Sequence, residues 1–335
     1  MILPHEGFKV AAGESAMKTP SKAALALALL VCAGSALPQY PSKPIRFIVG
    51  FPPGGSADPT TRILGAALAQ QLGSPVVVEN RPGADSAIAA EYVSRQAPDG
   101  YTLCFCSNSA MTAAVALKKA PLYDPLKDFT PLGLVGRATF FFYSNPEVPA
   151  KKLQEFIAHA RVNPGKLNYG TGNPLSILAM VQLMNAANIT MVQVPYKGEG
   201  PLTPDLIAGR VQSSFLSNPA GIQLVKEGRL RMLAVLLDQR SKLMPDVPTF
   251  AEAGLPQMSV RQWAGVYGPA KMPREIVERL NRELNVIVQR PDVIERMQSY
   301  GYAAEGSTPE GLAAINREDL ALWRRLVREA GIPLE

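Results

Sequence analysis

Phe51-Pro52-Pro53-Gly54-Gly55-Ser56-Ala57-Asp58 joins two stretches of different periodicity. Before it, residues 45–49 (Ile-Arg-Phe-Ile-Val) read as a strand; after it, residues 60–72 place Ile63, Leu64, Ala67, Leu68 and Leu72 on one helical face. The chain therefore runs strand, tight loop, helix. Pro52 and Pro53 stiffen the loop, and Gly54-Gly55 let the backbone approach another group closely. Asp58 is expected to cap the helix, with Pro59 at its first position. Unbonded N–H groups at such a helix start favour an anion. Taken alone, the stretch reads first as an ordinary capped turn, so the question is whether the design recurs.

It does recur along the chain. Gly73 closes the first helix. Residues 76–78 read as a short buried strand, and residues 81–86 turn into a helix over 87–96. Pro98-Asp99-Gly100 leads into a third strand, 101–106, followed by Ser107-Asn108-Ser109 and a helical run over 110–117. This alternation predicts a largely parallel sheet with helices on both faces. Residues 132–144 read as one long strand that crosses to a second domain. Leu153, Phe156, Ile157 and Ala160 mark a helix that also carries His159. A strand over 166–169 leads to Gly170-Thr171-Gly172-Asn173-Pro174, again cap plus proline, and a helix to residue 187. Residues 192–198 form a strand and loop; the strand at 211–216 ends in Ser217-Asn218-Pro219. A strand over 230–237 follows, and Thr249 is expected to cap a short helix ending at Gly254. Residues 260–267 read as the strand returning to the first domain, and helices over 274–288, 291–299 and 309–330 complete the pattern. Ligands of open α/β sheets bind outside the carboxyl ends of strands, so two such lobes facing each other make a cleft lined by helix starts.

Composition is that of a globular protein: 335 residues, 47% hydrophobic and 19% charged. The net charge is +6. Lys9, Lys18 and Lys22 against Glu6 and Glu14 give residues 1–36 a charge of +1, which leaves +5 on the remainder. The basic residues are scattered, and no nucleic-acid footprint emerges. Residues 1–36 read as an export signal: Lys18 and Lys22 ahead of an apolar run over 23–31, then Gly34-Ser35-Ala36 as a cleavage site. Met17 is a candidate start. Val31 before Cys32 argues against lipidation. The predicted organisation is the signal region 1–36, one domain from 40–140 with 262–335, and a second from 141–261. Cys104 and Cys106 lie two apart in a strand, about 6.5 Å along it, and are expected to be buried free thiols.

Catalytic equipment is sparse. His5 and His159 are the two histidines, the first in the signal region and the second on a solvated helix. Gly-x-Ser-x-Gly, Gly-x-Gly-x-x-Gly, the P-loop and zinc spacing are all absent from the sequence. No enzyme activity, cofactor or metal site is expected.

Taken together, several segments resemble the Bug family, the solute-binding proteins of tripartite tricarboxylate transporters. They are residues 44–58 with the Phe-Pro-Pro-Gly-Gly-Ser core, 76–84 (Val-Val-Val-Glu-Asn-Arg-Pro-Gly-Ala), 97–103 (Ala-Pro-Asp-Gly-Tyr-Thr-Leu), 163–170, 194–198 (Val-Pro-Tyr-Lys-Gly) and 246–256. The resemblance spans about residues 41–335 in the family's order. It implies a periplasmic α/β protein of the type II flytrap fold, with a ligand cleft between two lobes. It also implies a small organic acid as ligand, membrane subunits of a tripartite transporter as partners, and a monomer that binds no nucleic acid. Carried over by position, the pocket comprises Phe51, Gly54, Gly55, Ser56 and Asp58, then Ala84, Asp85 and Ser86, then Ser107 and Asn108. Thr171, Gly172, Asn173, Tyr196, Lys197, Ser217 and Asn218 complete it.

The chain departs from the family at several of these places. Asp85 stands where glycine is usual, and Leu216 where an acidic residue is expected. Asp85 has two competing roles, a cap folded onto its own helix or a ligand contact that disfavours a second carboxylate. Both lean the ligand toward a monocarboxylate, with or without an amine, amide or aromatic group. A ligand-sensing subunit on the same fold is the alternative to transport.

Overall fold

The computed structural model describes residues 40–334 apart from 54, 55, 218, 219 and 330. The predicted signal region 1–36 lies outside the described residues. Two mixed sheets organise the remainder, and together with their helices they make a two-lobed α/β fold.

The first sheet has the order β11-β4-β10-β3-β1-β2. It contains β1 (Ile45–Val49), β2 (Val76–Asn80), β3 (Thr102–Ser107), β4 (Phe129–Ala138), β10 (Gln262–Pro269) and β11 (Tyr302–Ala304). The second has the order β7-β6-β8-β5-β9. It contains β5 (Phe140–Ser144), β6 (Asn168–Thr171), β7 (Val192–Pro195), β8 (Ser213–Ser217) and β9 (Arg231–Val235). The expected long strand over 132–144 is thus two strands. Thr139 is the break, and its N–H donates to Gly301 O at 2.7 Å, so β4 and β5 serve different sheets.

The sheets are less parallel than expected. β1 runs parallel to β2 and β3, and β6 to β7 and β8. The crossing strands run the other way: β10 is antiparallel to β3 and β4, and β5 to β8 and β9. Val76–Val78 is not buried either. β2 is an edge strand, with Val77 49% exposed. Its outer face is held by Arg46, which donates to both Glu79 carboxylate oxygens at 2.6 and 2.8 Å.

Helix α1 (Ala57–Leu72) packs on β1 and β2 and stops at Gly73, whose φ of 65° requires the left-handed region. A 3-10 turn (Ala84–Ser86) enters α2 (Ala87–Ser94). The expected helical run over 110–117 is a π-helical turn, Ser109–Ala113, continued by one α-helical turn, Ala114–Ala116. Helices α3 (Leu153–Val162), α4 (Pro174–Ala187), α5 (Glu199–Ile207) and α6 (Ala220–Lys226) accompany the second sheet. Helices α7 (Arg274–Val288), α8 (Pro291–Ser299) and α9 (Pro309–Glu329) close the chain. The segment after Thr249 is a turn and not a helix. Thr249 and Glu252 nevertheless exchange the two hydrogen bonds of a capping box, at 2.8 and 3.1 Å.

The Phe140-Phe141-Phe142-Tyr143 run supplies both faces of β5, because successive strand residues point oppositely. Phe141 and Tyr143 join Leu202, Leu206 and Leu216 in one buried cluster. Phe142 meets Phe156 and Phe215 on the other face, each at 5.0 Å between ring centroids. Each such ring contributes about 1.5–3 kcal/mol on full burial. Cys104 and Cys106 are joined by a disulfide, contrary to the expected free thiols. Their Cα atoms are 5.3 Å apart, shorter than the ideal strand spacing and inside the range a disulfide spans.

Candidate functional site

The predicted site residues follow the ends of β1, β2 and β3 in the first sheet and of β6, β7 and β8 in the second. In the first group, Phe51 follows β1, and its carbonyl accepts from Asn80 Nδ2 at 3.0 Å. The same Asn80 amide donates to Asp58 Oδ1 at 2.8 Å. Asp58 does not cap α1. The helix begins two residues earlier, at Ala57, which puts Ser56 in the cap position and Asp58 inside the first turn. There its buried carboxylate pairs with Arg62 at 2.9 Å. Gly54 and Gly55 lie outside the described residues.

Ala84, Asp85 and Ser86 form a left-handed turn, with φ of 46°, 52° and 73°. Asp85 is exposed and lies within this turn, one residue before Ser86, which takes the cap position of α2. The Ser86 hydroxyl nevertheless donates to Gly50 O at 3.0 Å and not to its own helix. Gly50 makes this approach possible: a Cβ there would lie 2.8 Å from Ser86 Cα. Ser56 and Ser86 therefore both stand at helix starts that carry no side-chain cap.

Ser107 ends β3, and Asn108 takes the cap position just before the π-turn. Both are fully buried, and Ser107 Oγ and Asn108 Oδ1 have no hydrogen-bond partner among the described residues. Asn108 Nδ2 donates to Arg261 O, just before β10, at 2.8 Å. The buried Asp319 of α9 accepts from Trp263 Nε1 at 3.0 Å and Thr112 Oγ1 at 3.3 Å. Burial raises its carboxyl to about 6, against the pull of these donors.

The second group is a closed network. Asn173 caps α4 as expected: its Oδ1 accepts from Ser176 N at 2.9 Å, in a capping box, with Pro174 next. Gly172 brings this loop against Gly198, whose carbonyl carbon would be 2.7 Å from a Cβ at position 172. Thr171 Oγ1 accepts from Gln193 Nε2 at 2.9 Å. Glu199, at the first position of α5, joins the pieces. It accepts from Ser217 N and Ser217 Oγ, each at 2.9 Å, and from Asn173 Nδ2 at 3.3 Å. Burial raises its carboxyl to about 7, opposed by the two Ser217 bonds. Leu216, where an acid was expected, is core, and the carboxylate beside Ser217 comes from Glu199 instead. Tyr196 points elsewhere, its hydroxyl donating to Asp205 Oδ2 at 2.8 Å. Lys197 is exposed, and Asn218 lies outside the described residues.

The two groups meet through α4, against which the π-turn and α9 both pack. Gln182 of α4 adds a tie to the return crossover. It accepts from Ser259 N and Val260 N at 3.0 Å and donates to Gln257 O and Ser259 Oγ. Sequence reasoning missed Asn80, Gln182, Glu199 and Asp319. Glu199 was signalled only by a charge between two glycines, and the other three by nothing local.

The model of the tripartite tricarboxylate transporter family receptor matches residues 60–332. The chain is similar to protein BugT of Bordetella pertussis, 35% identical over 315 residues, covering 91% of this chain and 96% of BugT. It is similar to a solved periplasmic transporter, 36% identical with a TM-score of 0.75, over 88% of this chain and all of that one. A third similarity is to MatC from Rhodopseudomonas palustris with bound malate, 30% identical with a TM-score of 0.70, over 86% of this chain and 100% of that one.

Proposed function

The chain belongs to the tripartite tricarboxylate transporter family of receptors, the Bug family, and from that membership we propose that it is an exported solute-binding protein for a small carboxylate. It captures the solute between its two lobes and delivers it to the membrane subunits of a tripartite transporter. It performs no catalysis. The lobes are 40–140 with 262–335, and 141–261.

One observation carries this reading. Helices α1 and α2 start uncapped by side chains at the ends of β1 and of the turn beside it. Ser107, at the end of the neighbouring β3, is buried with its hydroxyl unpartnered. Buried polar atoms normally have partners, and an uncapped helix start favours an anion. A solute carboxylate supplies both needs. Charge-assisted hydrogen bonds of about 1.5–3 kcal/mol each make the roughly 8 kcal/mol of micromolar binding attainable with four or five donors after the costs of association. The second group serves as a rigid opposite wall, since its donors are already committed to Glu199 and to the α4 cap.

The test is a thermal-shift screen of mono- and dicarboxylates followed by calorimetry. A carboxylate binding at micromolar Kd is expected, weakened at least ten-fold by Ser107→Ala. Small-angle scattering should then show a smaller radius of gyration with the solute bound. Absence of binding across the panel rejects the reading.

A further inference from the structure

Asp319 of α9 stands at the junction of three elements. Its Oδ2 accepts from Trp263 Nε1 of β10 at 3.0 Å and from Thr112 Oγ1 of the π-turn at 3.3 Å. The Thr112 hydroxyl also lies 2.7 Å from Asn108 O, one turn earlier in its own backbone. A hydroxyl has one hydrogen, so the Asn108 carbonyl and the Asp319 carboxyl compete for it. The charge on Asp319 decides the competition, because a hydrogen bond to an ionised acceptor is roughly twice as strong as one to a neutral acceptor. Asp319 is 9% exposed and borders a groove of about 710 Å³ between α9, Arg137 of β4 and Trp263. Protons therefore have a path to it from solvent.

We propose that Asp319 is a pH-responsive latch on the π-turn and, through it, on the solute site at the end of β3. Ionised, Asp319 holds the Thr112 hydroxyl and ties the π-turn to α9 and β10. Protonated, it releases the hydroxyl to Asn108 O, and the tie is lost. Asp319 touches Thr112 and not the solute, so it is a positioning residue. The inference rests on the carboxylate reading above and adds regulation to it: the solute is held in neutral surroundings and loosened in acidic ones. Burial sets the titration of Asp319 at about pH 6. The groups around it do not switch there. Arg137, Arg261, Arg325 and Arg328 border the same groove, and arginine keeps its charge. Burial holds the Tyr267 hydroxyl of β10 neutral. The π-turn and α4 carry no ionisable side chain. Glu318, exposed beside Asp319 on α9, is the remaining acid.

The first test needs no solute. The indole N–H resonance of Trp263 should titrate with a midpoint at about pH 6 in the wild type and in Glu318→Gln, and should stay flat in Asp319→Asn. The second is calorimetry with malate and propionate on the wild type, Asp319→Asn and Thr112→Val, on both sides of that midpoint. Comparing each variant with the wild type at one pH cancels the titration of the acid and of Glu199. On the alkaline side the wild type is expected to bind about five-fold or more tightly than either variant, and on the acidic side equally. By linkage, saturating solute should move the Trp263 midpoint to lower pH by the same factor. A ratio independent of pH would make Asp319 a structural support and overturn the inference, as would a Trp263 resonance that does not titrate; both leave the carboxylate reading intact. Should Asp319→Asn fail to fold, Thr112→Val carries the comparison. If neither acid binds at millimolar concentration, the carboxylate reading fails and this inference with it.

Discussion

Glu199 and Ser217 are 18 residues apart in sequence and share two hydrogen bonds of 2.9 Å, from the Ser217 backbone N–H and from its hydroxyl. This contact fixes the end of β8 to the start of α5, and Asn173 ties the same carboxylate to the start of α4. Glu199→Ala would leave the Ser217 N–H and the Asn173 amide without their acceptor. A loss of about 1–3 kcal/mol is expected, read as a lower urea midpoint at unchanged m-value.

The same carboxyl has a pH signature. Its folded value, about 7, stands above the ordinary 4.5, so the folded state holds the proton more tightly than the unfolded state. The associated stability is complete below pH 4.5 and is lost as pH rises toward 7. Glu199→Gln removes the titration. The wild-type minus variant difference in unfolding free energy should therefore fall between pH 4.5 and 7 and level off above. A flat difference would mean that the carboxylate is not desolvated as its contacts require.

What the sequence made legible was local. Asn173-Pro174 announced the α4 cap, and Phe51, Ser107 and Ser217 announced where β1, β3 and β8 end, because turn and cap chemistry acts within a few residues. Helix α5 was hidden. Gly198, Gly200, Pro201 and Pro204 gave no helical signal, yet burial of Leu202 and Leu206 against Phe141 and Tyr143 makes the segment helical. Val76-Val77-Val78 has the composition of a buried strand, and only topology places it at an edge. Asp319 reaches Thr112 across 207 residues, beyond any periodicity or spacing argument.

The Cys104–Cys106 disulfide gives a direct readout. Protein cleaved after Ala36, and so without Cys32, and denatured without reductant should show no thiol by titration, and two after reduction. Two thiols before reduction would restore the reading as free buried cysteines.

Gly50 is the tightest backbone approach in the first group. Gly50→Ala drives a methyl into Ser86, whose Cα would lie 2.8 Å away, and overpacking of this kind costs about 1–3 kcal/mol. The hydrogen bond from Ser86 Oγ to Gly50 O is expected to break as the turn moves. Solute affinity should therefore fall together with the melting temperature. Gly50→Ala with Ser86→Gly removes the side-chain part of the clash and should recover part of the melting temperature.

Asp85 separates backbone strain from ligand selection. It is exposed, with φ 52° and ψ 40°, between Ala84 and Ser86, which are also left-handed. Glycine adopts this conformation freely, so Asp85→Gly relieves about 1 kcal/mol of local strain. The larger conformational freedom of glycine in the unfolded chain takes back about 0.5–1 kcal/mol. The melting temperature should hence change little, whereas Asp85→Val, β-branched at a positive φ, should lower it clearly. Affinity reports the second role. An exposed carboxylate beside an anion site opposes a second negative charge by about 0.5–1 kcal/mol, two- to five-fold in Kd. If Asp85 selects the solute, Asp85→Gly gains this factor for succinate and not for propionate. Equal changes for the two acids would assign Asp85 a general electrostatic effect, and unchanged affinities would remove it from the question of specificity.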